Sequence, residues 1–319
     1  MNRPRAADVE TVVVSRSDAA EGVAVLELEA REGWALTDWE PGAHVDVLLP
    51  SGLVRQYSLC GEPGADRWRI AVYREPAGRG GSAWLHDRVQ PGAVLRLAGP
   101  RTHFAFEPEE GRPVVFVAGG IGVTPLAPMA RIAAERGLDY AVHYLGRSRS
   151  RLALLDELQA RHGDRLALHV TDEGTRLDVA ALVAGLDPAT VVYACGPLPL
   201  LDALETACAA GGVELRMERF EASALTEPVW KEPFEVELAA SGITIEVPPE
   251  KSVLQAIEEE GVLVLSSCTE GTCGTCETVV LEGEVDHRDS ILTPAERARN
   301  DLMFVCVSRA ACPRLVLDL

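Results

Sequence analysis

The chain contains 319 residues, of which 47% are hydrophobic and 25% are charged, as is ordinary for a globular protein. A chain of this length is expected to form two or three domains, because single cores stop growing near about 250–300 residues. The formal net charge of −19 argues against a nucleic-acid-binding protein, which would present a basic face. The same charge suits a protein partner with a basic docking patch.

The N-terminal segment MNRPRAADVE is polar and lacks the apolar region of a secretory signal, which predicts a cytoplasmic protein. Residues 113–130, PVVFVAGGIGVTPLAPMA, carry no charge and are long enough to raise the question of a membrane span. They include three prolines and three glycines, so a buried strand, a loop and a helix start are expected instead. We therefore expect no membrane association. The eight cysteines are expected to be ligands or buried thiols rather than disulfides.

Residues 1–108 carry the pattern of short antiparallel strands. The stretch RWRIAV at 67–72 alternates bulky apolar side chains with other residues, which is the period of a half-buried strand. Pro-Gly pairs at 41–42 and 91–92 mark turns. Many short strands separated by turns predict a barrel or a sandwich.

Residues 109–222 change to an alternation of strands and helices. The apolar run PVVFVAGG is followed by TPLAPMARIAAERG, which reads as a helix. Further strands are predicted in LDYAVHYLG, LALHVTDE and TVVYACGP, with a helix in RLALLDELQARHG. This alternation predicts an α/β domain with a parallel sheet.

A linker is predicted at 223–233, and residues 234–319 form a third unit. FEVELAASGITIEV predicts a hairpin around Ser241-Gly242, and a helix is expected at about 251–260. The cysteine loop CTEGTCGTC and several short strands follow.

Four cysteines share the spacing C-x4-C-x2-C, then 29 residues, then C. This is the spacing of plant-type 2Fe–2S ferredoxins, and thiolates are soft donors that suit iron. The two glycines in the loop allow the backbone to wrap closely around a cluster. A structural zinc site made of the same four thiolates is the alternative. The residues concerned are Cys268, Cys273, Cys276 and Cys306.

Because of the spacing of these four cysteines, residues 234–319 resemble a plant-type ferredoxin domain with a β-grasp α+β fold. The whole chain resembles the phthalate dioxygenase reductase family, which includes vanillate O-demethylase-type reductases. The resemblance implies an antiparallel β-barrel flavin domain, an α/β parallel-sheet nicotinamide domain and a ferredoxin domain, in that order. It also implies that the four cysteines ligate the cluster.

Arg55-Gln56-Tyr57-Ser58 resembles the Arg-x-Tyr-Ser flavin fingerprint of the ferredoxin–NADP reductase superfamily. The resemblance implies that Arg55 holds the flavin phosphate through its guanidinium fork. It also implies that Tyr57 and Ser58 lie along the edge of the isoalloxazine ring.

A second segment, Gly80-Gly81-Ser82, resembles the glycine-rich turn that holds flavin phosphate at a helix start. Ser82 is alternatively a simple N-cap. Arg74 is expected to add charge near the phosphate. The domain order implies FMN rather than FAD.

The run GGIGVTP follows the first apolar strand of the α/β region and resembles the pyrophosphate loop of the same superfamily. Thr124 is expected to cap the following helix, with Pro125 in its first turn. The implied nucleotide-binding residues of this loop are Gly119, Gly120, Gly122, Thr124 and Pro125.

Cys195-Gly196-Pro197 resembles the second nicotinamide signature, in which the cysteine lies beside the nicotinamide. Cys195 is alternatively a packed thiol at a strand end. Arg147 and Ser148 stand where relatives contact the adenosine ribose, and we expect NADH to be the nucleotide. Phe220 matches an aromatic residue that covers the flavin in relatives, or it packs at a domain boundary.

The resemblance implies a single electron path. NADH gives a hydride from its C4 to flavin N5, the flavin passes single electrons to the cluster, and the cluster passes them to a separate oxygenase. The implied oxygenase is a Rieske non-haem iron enzyme or a haem monooxygenase, and it is expected to be another polypeptide because this chain has no signature of either. Ser58, Cys195 and Phe220 are the implied catalytic residues, and the chain is expected to be a monomer.

Two other functions fit parts of the sequence. A redox-sensing regulator would carry the cluster without rapid turnover. A flavin-only NADH reductase would carry the third unit as a structural, zinc-filled domain.

Overall fold

The computed structural model describes residues 8–222, 225 and 227–319. The first seven residues of the polar N-terminal segment, and residues 223, 224 and 226 of the predicted linker, lie outside the described residues. The chain divides into two compact units, Met1–Phe220 and Glu221–Leu319.

The first unit begins with a six-stranded antiparallel sheet in the order β4-β3-β6-β1-β2-β5. A bridge between Leu59 and Ile70 joins the two outer strands, so the sheet closes into a barrel. Its core contains Trp68, Ile70 and Val72. The elements are β1 (Val9–Ala20), β2 (Val23–Ala30), β3 (His44–Leu48), β4 (Val54–Ser58), β5 (Trp68–Tyr73), α1 (Gly81–Arg88) and β6 (Val94–Arg101).

The same unit continues with a parallel five-stranded sheet in the order β11-β10-β7-β8-β9. The chain runs outward from β7 to β9 and then returns to β10, so the topological switch point lies between β7 and β10. The elements are β7 (Val114–Gly119), α2 (Val123–Glu135), β8 (Tyr140–Gly146), α3 (Leu155–His162), β9 (Leu166–Val170), α4 (Val179–Ala184), β10 (Val191–Cys195), α5 (Leu198–Gly211) and β11 (Glu214–Glu218).

The uncharged segment 113–130 forms the buried strand β7, a short turn and the start of α2, as its prolines and glycines predict. Among the described residues, no helix has the length and apolar character needed to cross a membrane.

The second unit contains a sheet in the order β13-β12-β18-β14-β16, with α6 packed against it through Val253 and Ile257. The predicted hairpin is present, with Leu238 opposite Ile243. The elements are β12 (Phe234–Leu238), β13 (Ile243–Val247), α6 (Val253–Glu259), β14 (Glu277–Glu282), β15 (Val285–Asp286), α7 (Pro294–Arg299), β16 (Leu302–Phe304), β17 (Arg309–Ala310) and β18 (Arg314–Leu317). The predicted fold class of barrel, parallel α/β sheet and ferredoxin-like α+β unit is confirmed.

Candidate functional site

The start of β4 and the start of α1 bring Arg55 against Gly81. A Cβ placed on Gly81 would lie 2.7 Å from Arg55 Cγ and 2.8 Å from its Nε, so only glycine leaves room for the arginine there. Gly80 precedes the helix in the left-handed conformation, and no side chain caps the helix. A guanidinium beside an uncapped helix N-terminus forms a concentration of donors and positive charge that suits a phosphate.

Ser82 does not cap α1, so that interpretation is wrong. It lies inside the first turn, and its Oγ accepts a hydrogen bond from the backbone N–H of Glu75 at 3.0 Å. The hydroxyl therefore ties the preceding loop to the helix, and the first N–H groups of α1 keep no side-chain acceptor.

The four residues of the flavin-like motif lie on two faces of β4, because neighbouring side chains of a strand alternate. Gln56 donates its amide Nε2 to Asp46 Oδ1 at 2.9 Å. Ser58, on the same face, has a buried Oγ without a hydrogen-bond partner among the described residues. A buried hydroxyl in this state is suited to a polar atom of a bound ring. Tyr57 is mostly buried, and this burial raises its pKa.

Arg74 is paired with a carboxylate. Its two terminal nitrogens donate to the two oxygens of Asp87, at 2.6 and 3.2 Å. The hydrogen bond with Asp87 raises the pKa of Arg74. The Arg74–Asp87 pair thus links β5 to α1 instead of offering a free cation.

The loop that follows β7 and the loop that follows β10, which resemble nicotinamide-binding signatures, meet at the switch point between these two strands. A Cβ on Gly119 would lie 2.6 Å from Pro197 Cδ, and one on Gly196 would lie 2.9 Å from Gly119 Cα. A Cβ on Gly122 would overlap the carbonyl oxygen of Cys195. The loops are thus in backbone contact, at the position where open α/β sheets bind ligands.

This contact makes Gly122→Ala a sharp test of the nucleotide site. The added methyl cannot fit without moving the backbone after Cys195, so we expect a rise in KM for NADH of roughly tenfold or more, since 1.4 kcal/mol is about tenfold. Gly185→Ala is the matched control, because a Cβ there meets only atoms at 3.5 Å. Equal KM values for the two variants would contradict the proposed loop contact.

Thr124 does not cap α2, contrary to the prediction. The N-cap is Gly122, no side chain caps the helix, and Thr124 Oγ1 donates to the carbonyl of Ile121 at 3.0 Å. Pro125 lies in the first turn, as expected for proline. Gly120 adopts a φ of +54°, which favours glycine in this tight turn.

The arginines after β8 are paired with carboxylates. Arg149 Nε lies 2.7 Å from Glu173 and Arg151 Nη2 lies 2.8 Å from Glu21. Arg147 Nε is 3.8 Å from Asp172. Arg149 and Arg151 are thus closely paired, whereas Arg147 makes only a long contact and its side chain is 74% exposed. Ser148 Oγ lies 3.0 Å from Ser150 Oγ.

The buried Cys195 and the half-buried Glu218 are neighbours that the sequence did not reveal. The register of β10 and β11 places them side by side. Glu218 Oε2 is buried and lacks a hydrogen-bond partner within the described part of the chain. Burial raises the pKa of Glu218 to about 8, and burial followed by the nearby Glu218 raises the pKa of Cys195. Near neutral pH both groups hold their protons at the carboxyl edge of the sheet.

Glu218→Gln should change how stability depends on pH. The folded protein keeps the Glu218 proton up to a pKa of about 8, whereas the unfolded chain releases it near 4.5. Wild-type stability therefore falls as pH rises from about 5 to 8, with a slope of at most about 1.4 kcal/mol per pH unit. Glutamine cannot ionise, so the variant does not lose stability at this position as pH rises.

The measurement is the difference in Tm between Glu218→Gln and wild type at about pH 5, 6.5 and 8, the range set by the two pKa values. We expect the difference to move in favour of the variant as pH rises. The exposed Glu221→Gln serves as control. A difference that stays constant with pH would refute the raised pKa.

Phe220 follows β11 by two residues and is 42% exposed. It lies at the carboxyl edge of the same sheet, so its ring is available to cover a bound cofactor. Tyr193, on the neighbouring strand β10, differs from Phe220 because its ring packs against other aromatic rings, those of Phe104, Phe106 and Phe116.

Cys268, Cys273, Cys276 and Cys306 of the second unit are all buried, and their side chains adjoin one another. Backbone N–H groups of Glu270 and Thr272 point at Cys268 Sγ, at 3.3 and 3.4 Å. The side chains of Cys273 and Cys306, followed by the Glu270 N–H, lower the pKa of Cys268. Donors directed at sulfur suit an anionic iron–sulfur cluster.

Within the described residues, no group of three or more Cys, His, Asp or Glu side chains is arranged around one metal ion. A single zinc ion would need such a group. A 2Fe–2S cluster divides its four thiolates between two irons.

Gly271 holds the cluster loop against the rest of its unit. It has a φ of +72°, and a Cβ there would lie 2.6 Å from Val307 and 3.1 Å from Asp289 Cα. Its carbonyl accepts the N–H of Ser290 at 2.9 Å. Asp289 Oδ1 in turn accepts the N–H groups of Ile291 and Leu292. The loop is therefore fixed by backbone packing as well as by its sulfurs.

The first unit combines a barrel with a parallel α/β sheet that has glycine loops at its switch point, and a ferredoxin-like unit follows. This combination defines a flavin-type reductase joined to an iron–sulfur domain. The family described as 2Fe-2S iron-sulfur cluster binding domain matches residues 236–311. The chain belongs to the phthalate dioxygenase reductase family of oxygenase reductases.

Relatives that are similar over nearly their whole length support this family assignment. The chain is 44% identical to the toluene-4-sulfonate monooxygenase system reductase subunit of Comamonas testosteroni, over 98% of this chain and 99% of that protein. It is 40% identical to the vanillate O-demethylase oxidoreductase of Pseudomonas putida, over 98% and 100%.

Solved structures also match nearly the whole chain. Phthalate dioxygenase reductase, described as a modular structure for electron transfer from pyridine nucleotides to [2Fe-2S], matches with 34% identity and a TM-score of 0.67 over 98% of both chains. An intact type IV self-sufficient cytochrome P450 monooxygenase matches with 40% identity and a TM-score of 0.92. That match covers 98% of this chain but only 41% of the P450.

Proposed function

We propose that this chain is the NADH-dependent reductase component of an oxygenase system. The observation that carries the proposal is the set of four buried, adjoining cysteine sulfurs with backbone N–H donors. These sulfurs occur in a chain whose other unit has two glycine loops that meet at the switch point of its parallel sheet. When bound, a flavin converts the two-electron supply of a nicotinamide into single electrons that an iron–sulfur cluster can accept.

The barrel is proposed to hold FMN. Arg55 and the N-terminus of α1 would bind its phosphate, with Gly80, Gly81 and Ser82 shaping the turn. Tyr57 would lie against the ring, and Ser58 would offer its hydroxyl to a ring atom. Gln56, held by Asp46, would position the strand. Arg74 would act through α1, since it is paired with Asp87.

The loops at the switch point are proposed to hold the nucleotide. Cys195 and Glu218 keep their protons there because burial raises the pKa of each, so both can donate hydrogen bonds without adding charge beside the nicotinamide. Phe220 would exclude water from the reacting rings. NADH is favoured over NADPH, because Glu173 and Glu21 already pair with the nearby Arg149 and Arg151.

The remaining parts of the proposal concern the whole molecule. The domains are proposed as 1–108 for FMN, 109–222 for NAD, 223–233 as linker and 234–319 for the cluster. The partner is proposed to be a separate oxygenase of Rieske or haem type, as the relatives that are subunits of such systems suggest. The chain is proposed to work as a cytoplasmic monomer.

The test is to purify the chain, determine its flavin, iron and sulfide content, and compare NADH with NADPH in steady-state reduction of ferricyanide. We expect FMN, iron and sulfide, and a kcat/KM about fivefold higher for NADH, since a 2′-phosphate would displace an exposed ion pair that contributes up to about 1 kcal/mol. Zinc without iron and sulfide would refute the cluster. Equal use of NADPH would refute the nucleotide preference.

A further inference from the structure

Two leucines in the second unit are exposed just before the first cluster cysteine. In the segment 262–266, which is neither helix nor strand, burial alternates: Val262 and Val264 pack against the core, whereas Leu263 and Leu265 are exposed. Leu263 is 95% exposed and Leu265 is 43% exposed. Side chains alternate along an extended segment, so both leucines lie on the same side of it.

The leucines are close to the cluster site along the chain. Leu265 precedes Cys268 by three positions, and an extended chain spans at most about 3.6 Å per residue. Leu265 therefore lies within about 11 Å of Cys268 between Cα atoms, and Leu263 within about 18 Å. A protein that covers these leucines would lie beside the cluster.

The surroundings of the leucines are acidic. Residues 252–286 contain eight Asp and Glu and no Lys, Arg or His. Glu258, Glu259 and Glu260 are exposed at the carboxyl end of α6, directly before the leucines. Of these three, only Glu259 has an ion-pair partner among the described residues, Lys251 at 2.7 Å.

Neither the exposed leucines nor the glutamates at the end of α6 stabilise the second unit on its own. Carboxylates at the carboxyl end of a helix oppose the helix dipole, and an exposed leucine gains nothing from burial. Together they match the usual anatomy of a docking site, with an apolar centre, a charged rim and steering by the rim.

We propose that Leu263 and Leu265, flanked by Glu258 and Glu260, form the surface on which the cluster unit docks its electron-accepting protein. The acceptor has an apolar spot bordered by Lys and Arg side chains. The rim charges steer the encounter, and the leucines hold the complex next to the cluster. This inference rests on the proposed function and names the surface through which the electron leaves.

The test uses the complete holoprotein and cytochrome c, a basic haem protein, as the acceptor. The variants are Leu263→Ser/Leu265→Ser and Glu258→Gln/Glu260→Gln. Val94→Ser is the matched control, because Val94 is an apolar side chain of the barrel that is 48% exposed. Iron and sulfide content verifies that each variant keeps its cluster. Stopped-flow mixing with NADH, without acceptor, measures reduction of the cluster inside the protein.

We expect the leucine variant to lower the second-order rate of cytochrome c reduction about fivefold to tenfold, with internal reduction and the Val94 control unchanged. The glutamate variant should lower the rate at low salt and flatten its dependence on ionic strength.

An unchanged rate in the leucine variant would overturn the proposal, and so would slower internal reduction, because the leucines would then serve loading from the flavin. If wild-type protein fails to reduce its cluster with NADH, the proposed function fails instead, which is a distinguishable result.

Discussion

Cys273→Ser should strongly reduce electron delivery to cytochrome c while leaving NADH oxidation by ferricyanide intact. Cys273 Sγ lies among the four adjoining sulfurs, 3.5 Å from the backbone nitrogen of Cys268 and 3.2 Å from Thr275 Oγ1. Loss of an outer-shell partner alone typically costs about 10- to 100-fold in metal affinity. Loss of a thiolate ligand should therefore remove the cluster and reduce cytochrome c turnover at least roughly tenfold.

The matched control for this substitution is Cys312→Ser. Cys312 belongs to the same unit, is partly exposed, and its sulfur interacts with the backbone of Glu284 and Arg314 rather than with the cluster cysteines. It should keep iron, sulfide and cytochrome c activity. Cytochrome c activity that survives in Cys273→Ser would show that electrons leave directly from the flavin.

Arg55→Ala should weaken FMN binding roughly 10- to 100-fold. A hydrogen bond to a charged group contributes about 1.5–3 kcal/mol, and each 1.4 kcal/mol is about tenfold in affinity. Arg55 lies against Gly81 at the uncapped start of α1, so its removal takes the guanidinium from the proposed phosphate site. Fluorescence titration of the flavin-free protein measures the dissociation constant.

Riboflavin provides the control for Arg55→Ala, because it has the same ring without the phosphate. We expect its affinity to be nearly the same in wild type and variant. Arg96→Ala, which changes an exposed barrel arginine, should alter neither ligand. A parallel loss of riboflavin binding would mean that Arg55 shapes the ring site or the barrel instead of binding the phosphate.

The cluster cysteines could be predicted from the sequence because three of them share one short loop. A spacing of four and two residues restricts the geometry enough to indicate the chemistry. The hairpin at Ser241-Gly242 was also predictable, because its turn and its flanking strands are local. Local sequence carries this kind of information directly.

Features that depend on distant parts of the chain were missed. Alternation along β5 places Ala71 on the polar side of its strand, yet it is buried because the outer face of the barrel packs against the α/β layer. Glu218 gave no sequence signal, because its burial beside Cys195 follows from the pairing of β10 with β11. Sequence periodicity does not show which neighbour covers a face.

The helix caps show a third kind of error. Ser82 and Thr124 are residue types that favour caps, but glycines hold both N-cap positions. In both places the uncapped N–H groups face a proposed phosphate site, which explains why the usual cap is absent.

The most direct test of the electron path is anaerobic mixing of the protein with NADH, with the reduced cluster followed by electron paramagnetic resonance. The measurement is made on protein containing FMN and on the same protein with FMN removed and then restored. We predict that the cluster is reduced within turnover time when FMN is present, stays oxidised when it is removed, and is reduced again when it is restored. Equal reduction of the cluster without FMN would contradict this account.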